Sequence, residues 1–145
     1  MEAKEFLLQL QVLKKRIESK RAEIEQLKSI AYGITPQADG ERVQSSGNPE
    51  RMASAVVGYM QLETELAQHL AQYCRVMREV IAVVEELKEP YYSIIHKRYI
   101  RNKPFAEIAE EEHYSYQYTT ELHRIALKKV QKIINNQQNL VESFI

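Results

Sequence analysis

Tryptophan is absent from this chain, cysteine occurs once, and glycine and proline occur only four times each in 145 residues. Each scarcity excludes something. A lone cysteine, Cys74, rules out an internal disulfide and suits a reducing compartment. So few turn-forming residues, with no tryptophan, fit a mostly helical protein. No apolar run approaches the ~20 residues needed to cross a bilayer, and the N-terminus lacks a signal-peptide pattern. A cytoplasmic protein without membrane contact is therefore expected. An excess of one charge is missing too: Lys+Arg and Asp+Glu balance at 20 each, so the chain is no polycation. The balance is uneven along the sequence. Residues 88–134 hold nine Lys/Arg and six Glu, a net of +3, which leaves −3 for the remainder and mildly favours nucleic-acid contact by the C-terminal part.

Catalytic constellations are also lacking. The chain has no Gly-rich phosphate loop, no paired catalytic carboxylates and no Ser/His/Asp set, so neither an enzyme nor a cofactor is expected. Glu110, Glu111 and Glu112 beside His113 resemble a metal cluster only in composition. No second ligand pair stands at metal-binding spacing, and a solvated helix end explains the run better. His123 reads as a packed histidine, and Cys74, next to the apolar position Tyr73, as a small packed side chain.

What the first two-thirds does contain is heptad rhythm. Phe6, Leu10, the Val12–Leu13 pair, Ile17, Ile24, Leu27 and Ala31 alternate by fours and threes, interrupted by Lys20. A second series runs Met52, Val56, Tyr59, Leu66, Leu70, Tyr73, Met77, Val80, Val84 and Leu87, interrupted by Glu63. Both are seams for helix-on-helix packing. Folded antiparallel about a loop at 33–48, they predict pairs whose numbers sum to 83: Ala31 with Met52, Leu27 with Val56, Ile17 with Leu66, Phe6 with Met77. Lys20 then lies level with Glu63, a polar pair that sets register at some cost in stability. A seven-residue slip also keeps apolar positions in contact, and the same seams can pair between chains. The second helix is the longer, and its surplus, Val80 to Leu87, is expected to anchor the C-terminal unit. The loop is long for a helix connection and reads either as a contact surface or as a connector, with Pro49 at the first position of the second helix.

Residues 90–134 build a different unit from local rules. Pro90 suits a first helical turn, and Ile94, Ile95 and Tyr99 recur at helical spacing. Asn102 is the usual substitute for glycine in a left-handed helix cap. Pro104 starts a short helix with Phe105, Ile108 and Ala109 on one face, and Ser115 is a good N-cap for the next. In that third helix Thr119, Leu122, Ala126, Val130 and Ile133 should face inward. Gln117, Thr120, Glu121, Arg124 and Lys128 share the opposite face, as a helix reading the DNA major groove requires. Six of the nine tyrosines fall between 91 and 118. Tyr91, Tyr99 and Tyr114 are expected to fill the small core with hydroxyls reaching water, leaving Tyr116 and Tyr118 for phosphate or thymine-methyl contact.

The run LKEPYYSIIHKRYIRNKPFAEIAEEEHYS resembles the C-terminal, region-four promoter-reading domain of sigma factors. Over most of its length the chain is similar to a family of small proteins of Gram-positive bacteria and their prophages, of unknown function and related to phage late-operon transcriptional regulators. Matching pieces are ITP (34–36), RVQSSG (42–47), RMA (51–53), RYI (98–100), EIAEE (107–111), YSY (114–116) and LH (122–123). The resemblance implies DNA contact by Tyr116, Gln117, Tyr118, Thr120, Glu121 and Arg124, with Arg124 and Lys128 approaching phosphates or a guanine edge. It also admits RNA polymerase as a partner. Three positions depart from the pattern: His113 stands where the turn has glycine, Glu112 where an apolar residue is usual, and Thr119 where valine is buried.

The sequence thus predicts an all-α protein: a long, coiled-coil-like antiparallel hairpin over 1–88, a sigma-like helix-turn-helix over 89–134, and a tail over 135–145 that is polar and then apolar. The expected function is transcriptional regulation through double-stranded DNA. A basic face continuous from Lys97 through Arg101, Lys103, Arg124 and Lys128 would support it. The alternative is a coiled-coil interaction protein, or a phage packaging or structural protein, whose helix-turn-helix binds DNA weakly or not at all. Glu110–Glu112 and Glu121 favour that alternative, because carboxylates near phosphates repel them. Homo-oligomers through the hairpin or the tail fit either reading.

Overall fold

The computed structural model describes residues 1–33 and 49–144. Those residues form an all-α chain: α1 (Ala3–Ala31), α2 (Pro49–Glu85), α3 (Tyr91–Ile95), α4 (Phe105–Glu112) and α5 (Tyr116–Ser143). The expected loop contact surface, and the ITP and RVQSSG pieces, lie outside the described residues apart from Gly33. No helix among the described residues is long and apolar enough to cross a membrane.

Two compact units divide the chain. The larger comprises Met1–Val12 and Cys74–Ile145, the smaller Leu13–Tyr73. The division falls inside the two long helices rather than at the expected 88/89 boundary. Val80, Val83 and Val84 in the last turns of α2, and Leu87 just after it, are all buried and belong to the larger unit.

In the smaller unit, residues later in α1 pair with residues earlier in α2, so the helices run antiparallel there. Lys20 bonds Glu65 at 2.7 Å, Lys28 bonds Glu63 at 3.4 Å, and the Tyr32 and Tyr59 hydroxyls meet at 2.8 Å. Lys20 therefore pairs with Glu65, not Glu63, two residues from the expected register. Leu27 packs into the space that Gly58 leaves: a β-carbon there would stand only 3.2 Å from Cδ1 of Leu27. A pattern built from apolar knobs gives no weight to such a hole. The Lys20–Glu65 bond raises the lysine pKa and lowers that of the glutamate, but both groups are solvated and the pair serves register more than stability. The seams themselves need amendment: Leu7 is fully buried where Phe6 is only half-buried, and Val12 and Met52 are exposed.

The larger unit follows its local signals closely. Pro90, joined to Glu89 by a cis peptide bond, precedes α3, which runs on into a π-helical turn, His96–Ile100. Ile94, Ile95 and Tyr99 are buried, as their spacing predicts. Asn102 adopts the left-handed conformation, φ 55°, and Lys103 N–H donates to the Lys97 carbonyl at 2.9 Å, closing the turn. At the end of α4, His113 is left-handed as well, φ 60° and ψ 38°. Tyr114 N–H donates to Ala109 O at 2.9 Å and His113 N–H to Glu110 O at 3.3 Å, the two bonds of a Schellman cap. His113 thus performs the backbone task that glycine usually performs in such a cap. A left-handed residue with a β-carbon carries a steric cost of about 1 kcal/mol. His113→Gly is therefore expected to stabilise the protein by about 1 kcal/mol and raise its melting temperature by a few degrees. Thermal unfolding followed by circular dichroism checks this, and a loss of stability would show that the imidazole contributes more than its backbone costs.

Ile94, Ile108 and Leu122 make the centre of the α3–α5 core, with Tyr91, Phe105 and Tyr114 packed around them. Along α5 the buried positions are Thr119, Leu122, Ala126, Val130 and Ile134. Ile134 replaces the expected Ile133, which is half-buried: the four-residue step from Val130 selects between two adjacent isoleucines. Residues 135–143 continue α5 instead of forming a separate tail, and Leu140, Val141 and Phe144 stay exposed along it. Gln131 ties the start of α1 to this helix, accepting from Ala3 N–H at 2.6 Å and donating to Met1 O at 3.2 Å.

Candidate nucleic-acid interface

The expected contact residues depend on how α5 begins. Ser115 is extended, and its hydroxyl accepts from Tyr118 N–H at 3.0 Å, which is the predicted N-cap. One turn later Thr119 is fully buried, yet its hydroxyl donates to Ser115 O at 2.9 Å. The departure from valine at this position is thereby satisfied, because the one polar atom taken into the core has a partner. With Thr119, Leu122 and Ala126 turned inward, the other face of the first turns points outward.

On that face Tyr116, Gln117, Tyr118, Glu121, Arg124 and Lys128 are exposed and Thr120 is half-buried. Tyr116 and Tyr118 are 57% and 48% exposed, but neither ring hangs free. Tyr116 meets Phe105 edge-on at 6.4 Å and Tyr118 meets Tyr114 edge-on at 5.0 Å. Such edge contacts hold ring orientation. The Thr120 hydroxyl donates to Gln117 O at 2.9 Å. Arg124 lies on Glu121, Nε at 3.2 Å and Nη2 at 2.5 Å from its carboxylate oxygens. That bond lowers the glutamate pKa and raises that of arginine. Lys128 lies at the far end of the face, lining an open depression with Met1–Glu5, Leu127, Gln131 and Asn135.

The basic residues expected to extend this face are largely engaged. Lys97 contacts Glu111 at 2.7 Å and Glu112 at 2.8 Å, and Lys103 contacts Glu111 and, at 3.7 Å, Glu107. The Lys103 bond, then that of Lys97, pulls the Glu111 pKa down to about 2. The acidic run is therefore not a simple solvated helix end: two of its carboxylates clamp α4 to the turn after α3. Glu112 takes part in that clamp. No local pattern signals it, because Lys97 and Lys103 reach these carboxylates only after the chain reverses at Asn102. Among the described residues, Arg101 and Lys128 are the positions of the expected basic face that make no ion pair.

A second cluster lies at the buried side of α5. Tyr99 O–H bonds His123 Nε2 at 2.7 Å, with the rings stacked 5.6 Å apart. Phe105 meets the imidazole edge-on at 4.8 Å and carries the Arg98 guanidinium 4.2 Å above its ring. Burial, then the positive charges of Arg98 and Lys4, lower the His123 pKa to about 4, and burial raises that of Tyr99. The Tyr99 hydroxyl therefore reaches histidine rather than the water expected from sequence. Cys74 also differs from expectation, being exposed instead of packed. Among the described residues no group of three or more His, Cys, Asp or Glu is placed to hold a metal ion.

No protein-family model, no curated protein and no solved structure matches this chain.

Proposed function

We propose that the chain is a DNA-binding regulator that presents the first turns of α5 to the major groove of duplex DNA. The observation that carries this reading is the division of α5 into two faces. Thr119, Leu122, Ala126 and Val130 seat the helix in its core, while Tyr116, Gln117, Tyr118, Glu121 and Arg124 stand exposed on an N-capped first stretch. Short polar and aromatic side chains at a helix start are the groups that read base edges and methyls. Gln117 and Thr120 suit base contacts, Tyr116 and Tyr118 suit phosphate or thymine methyl, and Arg124 suits a guanine edge once released from Glu121. The sequence resemblance to sigma-type promoter readers supports this reading, and with it a prophage role and RNA polymerase as a second partner.

Binding should be weak for the isolated protein, since Lys97 and Lys103 already face carboxylates. That same observation favours the second reading, an interaction or packaging protein whose α4–α5 unit binds no DNA. A duplex selected from a random pool at about 50 mM salt, titrated by fluorescence anisotropy, separates the two. Arg124→Ala with Lys128→Ala is expected to weaken binding about tenfold and to reduce the salt slope by about 1 through the phosphate contact of Lys128, while loss of Arg124 relaxes base preference. Unchanged affinity and slope would remove this face from the DNA interface, and failure to enrich any duplex would favour the protein-interaction reading.

A further inference from the structure

The only carboxylate of α5 ahead of Glu142 is Glu121. It stands on the exposed line of Gln117, Glu121, Arg124 and Lys128, which ascends the helix in steps of three and four. An acidic group in that place would repel phosphates if it did nothing else. Both of its oxygens are engaged by one neighbour: Arg124 donates from Nε at 3.2 Å and from Nη2 at 2.5 Å. The side chains of Glu121 and Arg124 are 52% and 56% exposed, and an ion pair in that much water opens at little cost. The two are therefore ready to exchange each other for a second pair of groups, one an acceptor and the other a donor.

A C·G base pair offers that combination on its major-groove edge. Guanine presents O6 and N7, two adjacent acceptors that match the guanidinium fork, and cytosine beside it presents the N4 amino group, a donor for a carboxylate. Adenine puts an amino group where the fork needs its second acceptor. Thymine puts a carbonyl oxygen and a methyl group where the carboxylate needs a donor. Spacing agrees: residues three apart on a helix are separated by about 4.5 Å along its axis, close to the ~3.4 Å between stacked base pairs. Both side chains thus reach the same step of the duplex. Opposite thymine the carboxylate would be desolvated with nothing to accept from, so the same group that favours one base penalises the other.

We infer, on the reading that α5 enters the major groove, that Glu121 determines specificity: it accepts from cytosine N4 of a C·G pair whose guanine Arg124 holds. Selection from a random duplex pool at about 50 mM salt, followed by fluorescence anisotropy on the enriched duplex, tests this with the full chain. The pair concerned is the one whose guanine preference Arg124→Ala abolishes. Changing it to T·A should weaken the unaltered protein about a hundredfold, and Glu121→Ala only about tenfold, the part owed to Arg124. Glu121→Ala should also bind unrelated duplexes more tightly, since a carboxylate has left the neighbourhood of the phosphates. Glu121→Gln separates base reading from charge. It is as neutral as alanine, yet its carbonyl oxygen accepts the same bond, so it should recover most of the lost preference. Glu121 is exposed, and helical circular dichroism should be unchanged in both variants. An equal C·G preference in all three proteins overturns the role of Glu121 while leaving α5 in the groove. A Glu121→Gln that behaves like Glu121→Ala overturns it as well, assigning the effect to charge alone. Failure to enrich any duplex overturns this role together with the DNA reading beneath it.

Discussion

Ile108→Ala is expected to destabilise the α3–α5 core by about 4 kcal/mol, within the range for removing a fully buried isoleucine side chain. Ile108 is completely buried and joins Ile94 on α3 to Leu122 on α5. The eight residues of α4 are too few to stay helical without tertiary support. Truncation at Ile108 leaves a cavity between three helices, and rigid aromatic rings, Tyr91, Phe105 and Tyr114, surround it. Such a ring of large side chains has little freedom to collapse inward, which places the cost in the upper part of the range. The melting temperature should fall by roughly 10–20 °C, and any DNA binding by α5 should disappear with the fold. Urea unfolding followed by far-ultraviolet circular dichroism checks the figure, with Glu110→Ala on the exposed side of α4 as a control expected to change stability by less than about 0.5 kcal/mol. A loss below about 1 kcal/mol at Ile108, far under the range for such a truncation, would mean that α4 does not depend on this contact.

Mild acid is expected to weaken the same unit through His123. Its folded pKa, about 4, lies below the ordinary histidine value of 6.5. The unfolded chain therefore takes up a proton near pH 6.5 that the folded one refuses until about pH 4. The stability attached to the neutral ring is fully present above pH 6.5. It is lost as pH falls from 6.5 to about 4, and below that this group adds no further loss. The full shift would be worth about 3 kcal/mol at about 1.4 kcal/mol per unit. Because the ring is only partly buried, solvent screening reduces the expected loss to about 2 kcal/mol. Structure supplies the mechanism: a charged imidazole would sit beside Phe105 and Tyr99 with Arg98 and Lys4 adding repulsion. Glu111, held at about 2 by Lys103 and Lys97, adds its own loss only at lower pH, between the ordinary carboxylate range and about 2. His123→Gln should flatten the slope between pH 6.5 and about 4 while leaving the steeper acid limb intact. Chemical denaturation at closely spaced pH values distinguishes the two, and an unchanged slope in His123→Gln would assign the acid sensitivity elsewhere.

Local signals carry most of the fold. Ser115 as N-cap, Asn102 as a left-handed turn residue, and Pro104 before α4 all follow from short-range sterics and hydrogen bonding, which neighbouring residues decide almost alone. The inward face of α5 is readable for the same reason, since a 3.6-residue period places Thr119, Leu122, Ala126 and Val130 on one side whatever they pack against. The candidate interface inherits that legibility, because the outward residues are those the inward period leaves over. Ile134 is harder to read because two isoleucines stand side by side. The end of α5 is hidden as well, since the polar NNQQN run imitates a loop while the helix continues through it.

Pairings across distance are a different matter. His113 takes up a backbone conformation more usual for glycine, and Thr119 bonds its own helix cap. Lys20 pairs with Glu65 and Leu27 packs against Gly58, while Lys97 finds Glu111 and Glu112 because the chain turns at Asn102. Tyr99 reaches His123 instead of water. Sequence alone determined that the chain is helical, where α2, α4 and α5 begin and which face of α5 is apolar, since those properties depend on residues within a few positions of one another. Tertiary structure alone decided which charges neutralise each other and which histidine is buried. Those outcomes depend on atoms brought together from distant positions, where a shift of two residues is enough to change the partner.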